Sequence, residues 1–206
     1  MMNSYKTMVP IGVSARHVHL SKEHIPLLFG KYAELTFDFD LSQPGQFAAK
    51  ERVSIKGPKG EIHNVRVLGP ARSMSQVEIS KTDGYAIGVI PPLRQSGDLE
   101  GTRAVHITGP CGSVHLSEGL IIAQAHIHMH PNDAKEYGVV DGELVDVYAH
   151  TERPITFHKV IVRVSEQFAL EMHIDTDEGN AGFMQSGTTG IIRKRMENGA
   201  QQWMNK

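Results

Sequence analysis

Val53-Ser-Ile-Lys-Gly-Pro-Lys-Gly-Glu-Ile-His63 returns, without a gap, as Val105-His-Ile-Thr-Gly-Pro-Cys-Gly-Ser-Val-His115. Each copy is a β-branched run, a Gly-Pro-x-Gly turn and a second run, which is hairpin chemistry. Gly-Pro-x-Gly alone is a common turn, but the flanks match as well, and that points to duplication. Outside the repeat, Gly and Pro again punctuate short apolar runs, the pattern of an all-β barrel or sandwich. Strands are expected at Met8–Val13, Arg52–Lys56, Ile62–Leu68, Gln76–Ser80, Ala86–Val89 and Ala104–Thr108. Others are expected at Ser113–Leu116, Leu120–Ala125, Leu144–Tyr148, Thr156–Val164 and Leu170–Ile174. Helical signals are few. Ser21 can cap a turn or two through Phe29, ended by Gly30, and Pro131–Tyr137 is ended by Gly138.

A second echo sets the domain plan. Ala15-Arg-His-Val-His-Leu20 and Ala125-His-Ile-His-Met129 each follow an apolar strand and precede a short helix. Two such units suggest two related halves. The expected fold is mainly β, two small β-barrel domains capped by short α-helices and related by a pseudo-repeat. Residues 16–123 form the central barrel, with a small two-strand insertion at about 30–50. Residues 1–15 and 124–206 form the second barrel, including the N-terminal strand. The polar tail Lys194–Lys206 is a candidate short helix.

Composition narrows the function. The chain has 206 residues, 40% of them hydrophobic, enough for one generous core or two small ones. A net charge of −2, with both signs mixed, argues against a nucleic-acid or membrane-surface partner. No apolar run nears the roughly 20 residues of a membrane span, and Met1–Val13 has no signal-peptide stretch. The one cysteine, Cys111, rules out an intrachain disulfide and fits a reducing cytoplasm.

Histidine is the unusual residue, with twelve copies. Strand side chains alternate faces, so His17 and His19 project together around Val18, and His126 and His128 around Ile127. Paired imidazoles can reach one metal at about 2.0–2.1 Å, the geometry of a zinc site with a position left open. Glu171, His173 and Asp175 share one face, making His173 a candidate third ligand. Glu78 stands on the polar face of Gln76–Ser80 and can complete a His-His-Glu set. A lone strand histidine is more often hydrogen-bonded or exposed than a ligand, and it is the matching contexts of the two pairs that favour metal. His24, His63, His106, His115, His150 and His158 lack such partners and read as surface or packing residues. His130 shares the face of His126 and His128, but Pro131 turns the chain away. Arg72 can clamp a phosphate or carboxylate bidentately, and reads equally as a loop arginine. Arg94-Gln-Ser96-Gly97 is a similar, weaker loop. Cys111 holds a variable turn position, with Lys59 in the other copy, and is not expected to be a nucleophile.

The chain resembles the propanediol- and ethanolamine-utilization phosphotransacylases, the PduL-type phosphate propanoyltransferase family. The resemblance rests on Pro10–Ser21, Gln43–Ala49, Asn64–Pro70, Gln124–Met129 and Leu170–Glu178, and so spans nearly the whole chain. It implies two capped β-barrels, a homodimer and an active site of two zinc ions. His17, His19 and Glu78 would hold one ion, and His126, His128 and His173 the other. Arg72 would bind phosphate at the metals, and Arg94 and Ser96 would contact substrate. The implied reaction is reversible acyl transfer between coenzyme A and phosphate, on acetyl-CoA or propanoyl-CoA, by direct transfer. Members sent to bacterial microcompartments carry an N-terminal amphipathic helix, which Met1–Thr7 is too short to form. A cytosolic enzyme, an ethanolamine-pathway relative and encapsulation through a partner enzyme or shell all stay open. The rivals are a metal-dependent hydrolase of thioesters or amides and a non-catalytic metal-binding barrel.

Overall fold

The structure, a computed structural model, describes residues 5–195. Its elements open with β1 (Met8–Ser14), β2 (His17–Ser21), α1 (His24–Phe29), β3 (Phe37–Asp40), β4 (Phe47–Lys56), β5 (Glu61–Arg72) and β6 (Gln76–Glu78). Then come α2 (Lys81–Ile87), β7 (Leu93–Arg94), β8 (Arg103–Thr108), β9 (Ser113–Ala123) and β10 (His126–Met129). Last are α3 (Pro131–Tyr137), β11 (Leu144–Ala149), β12 (Ile155–Val164), β13 (Glu171–Asp175), α4 (Thr176–Ala181) and β14 (Thr188–Lys194).

The chain divides into two compact units. A continuous unit takes Ser14–Gln124 and Asp175–Asp177; a split unit takes the described residues up to Val13, Ala125–Ile174 and those from Glu178 on. In the continuous unit the strands run β4-β5-β2-β6-β9, and β8 pairs with both β9 and β4, closing a six-stranded barrel. β3 and β7 are appended to β4 and β9. The split unit closes as β1-β13-β10-β12-β11-β14, with β14 returning to β1. The protein is therefore mainly β, two closed barrels with a few short helices, as expected. Closure leaves no unpaired edge within either ring. Each ring has its own core, built on Val18, Ile55, Val67 and Ile107 in one and on Ile11, Ile127, Val145 and Met172 in the other.

The barrels correspond strand by strand. β2 lies between parallel β5 and antiparallel β6, and β10 lies between parallel β12 and antiparallel β13. The antiparallel pairs β4·β5, β4·β8 and β8·β9 are matched by β11·β12, β11·β14 and β14·β1. The counterpart of β9 is thus β1. Each barrel is closed by the strand that precedes the other barrel's His-x-His in sequence.

The eleven-residue repeat is the pair of hairpins β4–β5 and β8–β9, both in the continuous unit. Its glycines are fixed by what the turns rest on. The Lys59 N–H donates to the Ile87 carbonyl at the end of α2, and the Cys111 N–H to the Leu28 carbonyl in α1. A Cβ at Gly57 or Gly60 would stand 2.4 Å from a carbonyl oxygen of Ile87 or Ala86. At Gly109 and Gly112 it would stand 2.5 and 2.6 Å from those of Leu28 and Leu27. Each turn thus seats on a helix end.

Several local expectations are corrected. Ala86–Val89 is no strand: Ala86 and Ile87 end α2, which the Ser80–Asp83 capping box starts and Gly88, at φ 79, stops. α1 has Glu23 at its N-cap, while the Ser21 hydroxyl accepts from the His24 N–H at 3.3 Å. Ser113–Leu116 and Leu120–Ala125 are one strand, β9, running through Gly119. β3 lies in the 30–50 region and pairs with the start of β4. Strand β14 includes Lys194, and the tail beyond Arg195 is outside the described residues. Among the described residues no helix is long and apolar enough to cross a membrane.

Candidate functional site

Among the described residues two groups of metal-ligating side chains converge, His17–His19–Glu78 and His126–His128–His173, each with its donor atoms within 4.8 Å of one another. The first lies wholly in the continuous unit and the second wholly in the split unit. In both, the His-x-His strand is paired with an antiparallel neighbour that brings the third group: His17 lies opposite Glu78, and His126 opposite His173. The strand alternation that sends Val18 and Ile127 into the cores sends the imidazoles to the other face.

In the continuous unit, the Glu78 Oε2 is 3.5 Å from the His17 Nε2, and Oε1 is 3.9 Å from the His19 Nε2. Donors at about 2.0–2.1 Å from a tetrahedral ion stand about 3.3–3.5 Å apart, so the cluster is close to ligand spacing. The His17 Nδ1 is 2.9 Å from the Ala15 carbonyl, which can only accept. Nδ1 therefore donates there, and when the ring is neutral the lone pair falls on Nε2, the atom that faces Glu78. Burial pushes His19 well below the usual histidine range, and the charges of His17 and Arg72 push the same way. Burial would also raise Glu78, but His17 first, then His19 and Ser96, hold its carboxyl far below the carboxylate range. Burial lowers His17, yet Glu78 and the Ala15 carbonyl outweigh it, and its net shift is upward. An ionised carboxylate beside a neutral imidazole is a cation-ready donor set.

Arg72 joins this group through Ser96. Its Nη1 donates to the Ser96 Oγ at 3.0 Å, and the Ser96 hydroxyl donates to the Glu78 Oε1 at 2.9 Å. Arg94 is placed differently: its guanidinium meets the Leu93 carbonyl and Asp98 within its own loop. Sequence reasoning missed Gln76, which is 1% exposed. Its amide donates to the Glu78 Oε1 and, at 2.8 Å, to the Ser96 Oγ, while its own oxygen accepts the Gly97 N–H at 2.7 Å. The available signal was the alternation in Gln76-Val77-Glu78, which puts both polar groups on one face.

In the split unit the three imidazoles crowd together, His126 to His128 at 4.7 Å between centroids, His128 to His173 at 4.8 Å and His126 to His173 at 5.2 Å. Phe168, also missed, stacks on the His128 ring at 3.9 Å. His130 is a cap rather than a ligand: its ring accepts the Asn132 N–H at the start of α3 and pairs with Glu166. His24 shares a 2.7 Å hydrogen bond with the Ser75 hydroxyl. His106 and His115 lie opposite each other as an exposed ring pair across β8 and β9. Cys111 is exposed in its turn.

Residues 10–185 match the family model of phosphate propanoyltransferase. Three curated proteins of that name are similar over most of their length. That of Priestia megaterium is 59% identical over 184 residues, 89% of this chain and 85% of its own. That of Thermotoga maritima is 56% identical over 178 residues, 86% and 85% of the two chains. That of Clostridioides difficile is 50% identical over 190 residues, 92% and 91%.

Proposed function

From the premise that this chain belongs to the phosphate propanoyltransferase family, we propose that it moves a short acyl group, acetyl or propanoyl, between coenzyme A and phosphate, with one zinc ion in each of its two triads. The activity class, phosphate acyltransferase, follows from the family; the metal, the acyl chain and the route of transfer are our reading. The observation that carries the reading is the Arg72–Ser96–Glu78 chain of hydrogen bonds, which joins an anion-binding guanidinium to a His-His-Glu donor set.

His17, His19 and Glu78 would hold one ion, and His126, His128 and His173 the other, with nitrogen-rich donors suited to zinc. When bound, zinc supplies Lewis acidity, which orients an oxyanion and polarises a carbonyl or leaving thiolate. Arg72 presents the planar fork that grips phosphate, and Ser96 keeps it beside Glu78. Buried His19 and half-buried Glu78 limit the water at that position, strengthening the guanidinium–phosphate attraction. In the forward step a phosphate oxygen attacks the thioester carbon and the carbon–sulfur bond breaks. The departing thiolate takes up the proton phosphate gives up, so acyl phosphate and coenzyme A form without a covalent enzyme intermediate.

Ser96 sharpens the test, because its hydroxyl donates to a carboxylate and so offers an alternative nucleophile. Direct transfer predicts sequential kinetics, and some phosphate-dependent turnover in Ser96→Ala. Ping-pong kinetics with an acyl group trapped on Ser96 would refute it. Thiol release from acetyl-, propanoyl- and butanoyl-CoA, with and without phosphate, tests the activity. Release that ignores phosphate would instead favour a metal-dependent hydrolase.

A further inference from the structure

In each barrel one more polar residue occupies an equivalent place. The second histidine of each His-x-His lies opposite a residue two positions before the third ligand: His19 opposite Gln76, His128 opposite Glu171. Residues two apart on a strand share a face, so Gln76 stands beside Glu78 and Glu171 beside His173. Both make contact. The Gln76 amide donates to the Glu78 Oε1, and the Glu171 Oε2 is 3.3 Å from the His173 Nε2. The chemistry at each place is the complement of the ligand it serves. A carboxylate ligand meets an N–H donor, and an imidazole ligand meets an acceptor anion.

Each of these residues is also held from behind. Gln76 is anchored by the Gly97 N–H and by Ser96. Glu171 is seated over the backbone of Gly12 in β1, where an added Cβ would come within 2.9 Å of its Cδ and Oε1. Glycine at position 12 therefore leaves room for this carboxylate. The split unit's donor cluster comprises the three histidines and not Glu171, so a role behind the ligands fits better than a place among them.

We propose that positions 76 and 171 are equivalent positioning sites in the two barrels, and that Glu171 is the anionic partner that orients His173 in the split unit's metal triad. This rests on the reading that the triads hold metal. A carboxylate on the non-ligating nitrogen of a metal-bound histidine, here Nε2 with Nδ1 left as the donor, fixes its ring and raises its basicity, and its loss typically costs about 10–100-fold in metal affinity.

The two centres can be read separately in the full chain, since His17→Ala leaves only the split unit's triad complete and His126→Ala only the other. The readouts are zinc affinity by competition with a chromophoric chelator and the visible spectrum of bound cobalt(II). In the His17→Ala background, Glu171→Ala should weaken zinc about 10–100-fold. The isosteric Glu171→Gln should fall between, since it keeps an acceptor but loses the charge. Gly12→Ala should resemble Glu171→Ala with the carboxylate intact, because its methyl strikes only the far end of that side chain. Each should shift the cobalt spectrum, which a purely structural role would not do. In the His126→Ala background, Gln76→Glu should lose metal, and adding Glu78→His, which rebuilds the pair found in the split unit, should recover it. Zinc affinities within about twofold of the parent for Glu171→Gln and Gly12→Ala, with unchanged cobalt spectra, overturn the proposal and leave the metal reading intact. A parent protein that binds no metal overturns both.

Discussion

At the residue scale the decisive signal is a period of two. His17 and His19, or His126 and His128, can be paired on paper because a strand returns to the same face every second residue. Their third partners could not be assigned that way, since Glu78 and His173 reach them by cross-strand pairing between stretches far apart in sequence. Gln76 was legible in alternation but ordinary in type, and only its burial marks it. The roles separate by experiment. Glu78→Ala removes a donor and leaves two histidines, so zinc at that triad should fall to a minor fraction of an equivalent, read by metal analysis after desalting. Arg72→Ala should leave both triads loaded and raise the KM for phosphate. Loss of a hydrogen bond to a charged group, about 1.5–3 kcal/mol, corresponds to roughly 10–150-fold in kcat/KM. Arg72→Lys should recover only part, because an ammonium keeps the charge without the two-pronged geometry. Steady-state kinetics at varied phosphate, beside metal content, decides whether Arg72 serves the anion or the metal.

At the element scale the Gly-Pro-x-Gly repeat was read for its turn chemistry, and correctly so, yet the reason both glycines recur lies elsewhere. Gly57, Gly60, Gly109 and Gly112 are not among the positive-φ glycines, so backbone conformation does not demand them. They are demanded by the carbonyls of α2 and α1, against which the turns pack. Part of that reason was invisible because α2 itself was misread: Ala86–Val89 ends in a short apolar run that suits a strand as well as a helix end. The informative signal was Ser80 three residues before Asp83, a capping box with Asp in place of the usual Glu or Gln. Gly60→Ala and Gly112→Ala should each destabilise the fold, since the atom struck is backbone and cannot rotate away. Overpacking of this kind costs about 1–3 kcal/mol, which is several degrees in Tm for a chain of this size. Cys111→Ala, in the same turn but exposed, should melt within about a degree of the parent. Equal melting of all three by calorimetry would show that the turns do not seat on the helix ends.

At the scale of the whole molecule, the two-barrel plan was legible because the two His-x-His motifs sit in matching strand–helix contexts, and the N-terminal strand was expected in the second barrel, but the pairing that puts it there was not legible. β1 runs into β2 along the chain, yet closes the ring of the split unit by pairing with β14, Met8 opposite Ile191 and Ile11 opposite Thr188. The Ile192 N–H also donates to the Thr7 carbonyl at 2.7 Å. Every ligand of the continuous unit, by contrast, lies beyond Ser14. Removing residues 1–13 should therefore open the split unit's ring between β13 and β14 and expose strand edges that favour aggregation. Amide exchange should accelerate across β10–β13, and the His126–His128–His173 triad should lose zinc, while β4, β5, β8 and β9 keep their protection. The deficit should be repaired by topology alone. Because β14 and β1 are antiparallel neighbours, a rearranged chain that begins at Ser14 and joins Arg195 to Tyr5 by a short turn makes them a hairpin. That chain should recover slow exchange in β10–β13 and zinc at the split unit's triad. If the truncated chain keeps both without the transplant, β1 is dispensable to that barrel; if the rearranged chain recovers neither, the link from β1 into β2 matters for more than connectivity.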